Sequence, residues 1–323
     1  MPNMGVCRLC AGVAEDLQLS HIIPAFAFRW LRESSGNGFL RSSDQPNLRV
    51  QDGPQEYWLC EECEGRLNRS ETAFANRLFY PYLNGRSGGK FQYERWLLEF
   101  CTSLSWRALE YQLSNVDDSD QFSWADMAQI ESARNRWKAF LLGNAPHPGE
   151  FRQHLLPLDE VNATSVSNLP ANINRYLMRA IDIDLCHTES GGTIFVFSKI
   201  ARFAIIGFIN GPPSGQWQGT KVNANRGTIE PRDYAVPKAL LDYLCHKARC
   251  VTTAHEKISE RQREKIDKAF LSNVDQLRGS DFFKAMEADV KMFGRKAFTG
   301  PSTNFESRPT DSPEPGLDSS EQL

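Results

Sequence analysis

Apolar positions recur at helical spacing through much of the chain and crowd together at strand spacing in one stretch. In ERWLLEFCTSLSWRALEYQL, from residue 94, Leu97, Phe100 or Cys101, Leu104, Ala108 and Tyr111 share a helical face. SWADMAQIESARNRWKAFLL predicts a second long helix, with Ser123 as N-cap and Asp126 adding an acid to the first turn. Ile173, Tyr176, Leu177, Ala180 and Ile181 predict a third. VPKALLDYLCHKA predicts another, with Pro237 near its start, and residues 254–295 read as charged helix. A shorter helix is expected over PAFAFRWLRE, residues 24–33, with Pro24 at its first position. TIFVFSKIARFAIIGFI is rich in β-branched and aromatic residues and predicts two strands joined by a turn at Ser198 to Arg202.

Before residue 95 the texture differs. Apolar runs are short, arginines frequent, and SSGNGF and NGRSGG mark turns. PNLRVQDGPQEYWLC reads as extended chain, a Gly-Pro break, and a strand running into Cys60. The expected fold class is α+β. Residues 1–95 are expected to form one domain, 96–298 a mostly helical α+β domain, and 299–323 a tail. That tail has almost no large apolar side chains, so it cannot offset the entropy of ordering and is expected to be disordered.

The chain has 323 residues, a net charge of -3 and 41% hydrophobic residues, which is an ordinary globular balance. This near-neutral total argues against coating nucleic acid through bulk charge, although a local basic face is compatible with it. No stretch approaches the roughly 18–20 apolar residues of a membrane span. MPNMGVCRLC lacks an apolar run behind a basic start, so a cytoplasmic location without a membrane partner is expected.

Four of the 8 cysteines fall in two C-x2-C pairs, Cys7 with Cys10 and Cys60 with Cys63. Each such turn presents two sulfurs along one edge of a tetrahedron, and two turns complete a zinc site. Four thiolates leave no open position, so this zinc is structural and any chemistry belongs to other residues. LCEECEGRLNRSE then reads as a knuckle running into a helix, the treble-clef arrangement. Cys245, His246 and Cys250 lie close together in CHKARC, but no matching second pair accompanies them. Trp217 in SGQWQGT is expected to anchor a core.

Between the two cysteine pairs, LQLSHIIPAF places a single histidine, His21. It is either a structural polar residue at a strand end or a catalytic one. CRLC, then SHIIP, then LCEECEGRLN resembles the zinc-stapled HNH endonucleases of the His-Me finger group, over residues 7–71, about a fifth of the chain. The resemblance implies a ββα-metal site in which His21 is the general base that deprotonates the attacking water. It also implies a catalytic magnesium or manganese ion held partly by the helix after the second pair. The matching positions are Glu64 and Asn68, an i, i+4 pair. Ser20 stands where the family often has an acid or a histidine. Asn47, the candidate for the family's central asparagine, lies thirteen positions before Cys60.

The substrate implied is DNA, with Arg29, Arg32, Arg41, Arg49, Arg66 and Arg69 as candidates for phosphate contact. Residues 1–95 carry eleven basic and eleven acidic side chains, so any basic face requires sorting in three dimensions. A role in bacterial defence or in a mobile element follows only by family analogy. The alternative is a non-catalytic treble clef that docks nucleic acid or protein. Residues 96–298 show no phosphate loop and no nucleophile elbow, and are expected to select substrate, form a homo-oligomer or bind a protein partner.

Overall fold

The structure, a computed structural model, describes residues 2–86, 88–115, 122–187, 192–211 and 214–298. The tail expected to be disordered lies outside them. Helix makes up 49% and strand 19%, so the mixed helix-and-sheet class is as expected.

The chain opens with β1 (Gly5–Val6) and β2 (Val13–Ala14), a minimal hairpin around the first cysteine pair. Next come β3 (Gln18–His21), α1 (Ala25–Glu33) and β4 (Gln55–Leu59), with β3 and β4 antiparallel and His21 opposite Gln55. Pro24 caps α1 from just outside the helix, as its fixed φ and missing N–H favour. Cys60, with extended backbone, is the N-cap of α2 (Glu61–Phe74). Short irregular helical turns then lead to β5 (Phe91–Glu94) and straight into α3 (Arg95–Asn115).

α3 is the axis of the molecule. From Leu97 to Glu110 every residue but Glu99 is buried, because both faces are covered. On one side lies α2, where Phe74 stacks on Phe100 with ring centroids 3.9 Å apart. On the other lies a four-stranded antiparallel sheet in the order β6–β9–β8–β7, made of β6 (Gln153–Pro157), β7 (Ile181–His187), β8 (Ile194–Ile200) and β9 (Phe203–Asn210). Gly207 of β9 allows the closest approach: a Cβ there would stand 2.6 Å from the Ser105 hydroxyl of α3. One apolar cluster therefore runs from Cys7 and Leu9 through Phe74 and Phe100 to Phe203 and Ile205. It crosses position 95 without a break.

α4 (Trp124–Leu141) packs beside α3 and starts with the capping box anticipated at Ser123 and Asp126. The far face of the sheet is covered by α5 (Ile173–Arg179) and by the helix that follows β10 (Arg226–Ile229), namely α6 (Lys238–Glu256). Ile181, expected to extend the third helix, instead begins β7. Ala180 is already extended, and Ile181 pairs with Ile200. β6 and β7 were not legible as strands. Their apolar residues pack into faces that only the sheet creates. Trp217 packs edge-on against Phe208 and His154, as a core anchor would.

α7 (Glu260–Ser272), α8 (Val274–Gly279) and α9 (Asp281–Phe293) complete the described chain. Asp289 of α9, fully buried, pairs with Arg175 and accepts from the Asn174 amide at the start of α5, a charge-assisted helix cap. No helix among the described residues is long and apolar enough to cross a membrane.

Candidate metal centre and the adjoining histidine

The first knuckle is a tight turn in which the Cys7 amide donates to the Gly12 carbonyl and the Ala11 amide to the Cys7 carbonyl. The Arg8 amide donates to the Trp58 carbonyl and fastens this turn to β4, which delivers the second pair. Cys60 caps α2, and Cys63 lies in its first turn. The four sulfurs all lie within 4.8 Å of one another, and they are the one such group of three or more metal-binding side chains among the described residues. Cys10 and Cys60 are 3.9 Å apart at sulfur. Zinc–sulfur bonds of about 2.3 Å set tetrahedral edges of about 3.8 Å, so the spacing suits that ion.

The electrostatics agree with the geometry. Burial raises the Cys7 thiol, but hydrogen bonds from the Cys10 and Cys60 segments outweigh it and bring it down to about 7. Cys63 is pushed up strongly, by burial first and then by its sulfur neighbours, and Cys60 is raised mainly by burial. Burial and neighbouring sulfurs oppose ionisation at Cys60 and Cys63, and a divalent cation would supply the charge that favours it. The four-cysteine group can hold a metal ion such as zinc. In contrast, His246 and Cys250 form an exposed pair 3.6 Å apart on α6, while Cys245 is buried.

His21 ends β3, and successive strand residues point to opposite faces. Ser20, 1% exposed, turns toward α2 and donates to the Glu64 carboxylate at 2.6 Å. His21 turns the other way. Its Nε2 lies 2.8 Å from Asp52 Oδ2 and 2.7 Å from the Gln55 amide, in a half-exposed setting with 24% of the side chain accessible. A carboxylate can only accept and an amide nitrogen can only donate, so Nε2 serves Asp52 with a hydrogen when the Gln55 amide turns its oxygen to the ring, and in that arrangement Nδ1 keeps its lone pair. Nδ1 has no hydrogen-bond partner among the described residues.

Asp52 is itself fixed. Its other oxygen accepts from the Gly53 amide at 2.9 Å, and Arg32 donates to the Gln51 carbonyl at 2.7 Å. Gly53 lies so close to α1 that a Cβ would stand 2.2 Å from the Phe28 ring. From α3, Arg107, 2% exposed, donates to the His21 carbonyl at 2.8 Å and pairs with Glu71 at 2.5 Å. The strand end carrying the imidazole is thus clamped from the turn before β4 and from the central helix.

Other expected site residues are placed differently. Asn47 donates to the Lys257 carbonyl and accepts from the Ser259 amide, so its amide joins the loop to the turn between α6 and α7 and does not contact His21. Asn68 is exposed and makes only a long contact, 3.5 Å, with Thr72. Glu64 and Asn68 share α2, yet neither contacts His21. Arg66 bonds the Leu142 carbonyl and Glu62, and Arg49 covers the Phe39 ring. Arg29 and Arg69 are exposed. Asp52, Gln55 and Arg107 were not singled out in the sequence. For Asp52 a signal existed, since QDGPQ is a turn just before the strand that pairs with SHIIP. Arg107 is a lone charge inside an apolar helical run.

No protein-family model, no curated protein and no solved structure matches this chain.

Proposed function

We propose that residues 7–71 form a zinc-stapled treble clef of the HNH type, and that the protein hydrolyses phosphodiester bonds in DNA with His21 as general base. The observation that carries this reading is the His21–Asp52 contact. With the hydrogen on Nε2, a carboxylate there orients the ring and stabilises the imidazolium that forms when Nδ1 takes a proton. The ring is neither sealed in apolar side chains nor loose in solvent. A catalytic magnesium or manganese ion, when bound, would stabilise charge on the phosphate and the leaving oxygen. The resemblance gives Glu64 and Asn68 of α2 as its candidate ligands, which lie across β3 from the His21 ring. Asn47 leaves the catalytic set, and Asp52 enters it as a positioning residue.

Two observations favour the second reading, a treble clef that docks nucleic acid or protein without cutting: the His21 ring turns away from α2, and the Glu64 carboxylate is already engaged. Ser20 donates to the same Glu64 carboxylate that a cation would need. The test is incubation of the zinc-loaded protein with supercoiled plasmid, with and without magnesium or manganese, beside His21→Ala and Asp52→Asn. Nicking is expected only with the added cation, abolished in His21→Ala and reduced about 10²–10⁴-fold in Asp52→Asn, the range of a disrupted general base. Binding without nicking, equal in all three proteins, would establish the docking module instead.

A further inference from the structure

Away from His21, the loop of residues 40–50 closes on itself through a bridge between Leu40 and Val50 and leans on the C-terminal helices. Asn47 fastens it to Lys257 and Ser259, and Arg41 donates to Gln262. Between loop and helices lies a cleft of about 60 Å³, lined by Arg41, Ser42, Ser43, Val251, His255 and Ile258. A single water needs only about 10–15 Å³, so the space suits a small multi-atom ligand.

Every polar side chain of that lining can donate a hydrogen bond, and none is acidic. The Arg41 guanidinium meets only neutral acceptors, the Pro46 carbonyl and the Gln262 amide. Neither the Ser43 hydroxyl nor the His255 ring has a hydrogen-bond partner among the described residues. Arg41 and Arg263 gather positive charge here without an acidic partner among the described residues. Arg41 is lowered by burial and then by Arg49. The His255 side chain is exposed at the cleft mouth, and its pKa is lowered by partial desolvation and then by Arg175, Arg263 and Arg41. Arg263 bonds only the Ile258 and Glu256 carbonyls, while Arg175 is neutralised by Asp289. Asp44, Glu256 and Glu260 belong to the same segments, but none lines the cleft.

We propose that the cleft between the 40–50 loop and α6 is an anion site that takes a phosphate group, bound by Arg41 with the Ser42 and Ser43 hydroxyls and His255. A tetrahedral oxyanion would satisfy several donors at once and offset the crowded arginines, which water cannot do. This site stands independently of chemistry at His21, and its ligand is either a free phosphate or a phosphodiester of a nucleic-acid backbone.

The test follows the His255 imidazole NMR signal, assigned by its loss in His255→Gln, in the full zinc-loaded chain without other divalent cations. Inorganic phosphate and a short DNA duplex without terminal phosphates are titrated separately. A saturable shift with phosphate identifies the free ion as a ligand, and a shift with the duplex alone identifies the backbone. In either case Arg41→Gln should weaken binding about tenfold, the size of one charge-assisted hydrogen bond. Ser43→Asp, at an exposed position that bonds nothing, should abolish binding while leaving the fold unchanged. No shift with either probe, or binding of wild-type strength in both variants, overturns the proposal. Plasmid nicking is unaffected by that outcome, so failure here and failure of the nuclease reading are distinguishable.

Discussion

The segment from Gly5 to Leu59 and the sheet from Gln153 to Asn210 reach order by different means. In the first, β1 and β2 have two residues each, β3 four and β4 five, and Val6, Val13, Leu19 and Tyr57 stay exposed. Two-stranded pieces this short are marginal by themselves. They are joined by burial, with Leu9, Ile22, Trp58 and Leu59 in the same apolar cluster as the sheet, and by four cysteines that can hold a metal and place Cys60 at the head of α2. In the second region β9 runs eight residues, seven of them buried, with α3 on one face and α5 and α6 on the other. The lesson is where chemistry can sit. His21 lies at the seam, on a strand beside the four-cysteine group, with its carbonyl held by Arg107 from the central helix.

The largest expected effect separates the two regimes directly. Chelation, or Cys63→Ser, removes metal binding on the order of 10 kcal/mol from the N-terminal segment. Hydrogen exchange should then show β1 to β4 unprotected, while Ile194–Ile200 and Phe203–Asn210 keep their protection. Equal loss in both regions would show a single cooperative unit and erase the contrast.

Phe100→Ala probes the seam from the core side. The ring stacks on Phe74 of α2 and is fully buried, so its loss should cost about 3–5 kcal/mol through transfer and cavity terms. Metal release and loss of helix signal should then shift together in denaturant. If metal release stayed at the wild-type midpoint, α2 would be anchored by the metal rather than by α3.

The smallest effect concerns the sheet alone. His154, 6% exposed, is held down to about 4 by burial first and then by Arg152 and Lys221. The unfolded chain therefore takes up this proton at a higher pH than the folded one. Stability from neutral His154 is fully present above about 6.5 and is lost as pH falls toward 4, by at most about 3 kcal/mol. His154→Gln should remove that acid-side slope, and the cysteine-tied strands should show no change in it. A slope unaltered by the substitution would assign the acid sensitivity to other groups.

Local rules were readable wherever one segment contained the whole cause. The capping box at Ser123, the proline starts of α1 and α6, the C-x2-C pairs and the β8–β9 hairpin each depend on a few neighbouring residues. The hairpin turn is tighter than Ser198 to Arg202, because Ser198–Ile200 continue β8 and Ala201 takes a positive φ of 49°. β7 was hidden because its polar members have partners elsewhere. Asp182 pairs with Lys247, and Asp184 accepts from the Tyr243 hydroxyl. Without α6 those acids argue against a half-buried strand.

The sequence by itself determined the four thiol ligands, the helices with their caps, and the histidine placed between the knuckles, because spacing and local backbone chemistry specify them. Only the tertiary structure decided that Asp52 rather than Asn47 attends His21, that Ser20 occupies Glu64, and that α3 is enclosed on both faces. Each of those depends on contacts between segments tens of residues apart. Such contacts are chosen by the packing of whole elements, and no local pattern encodes them.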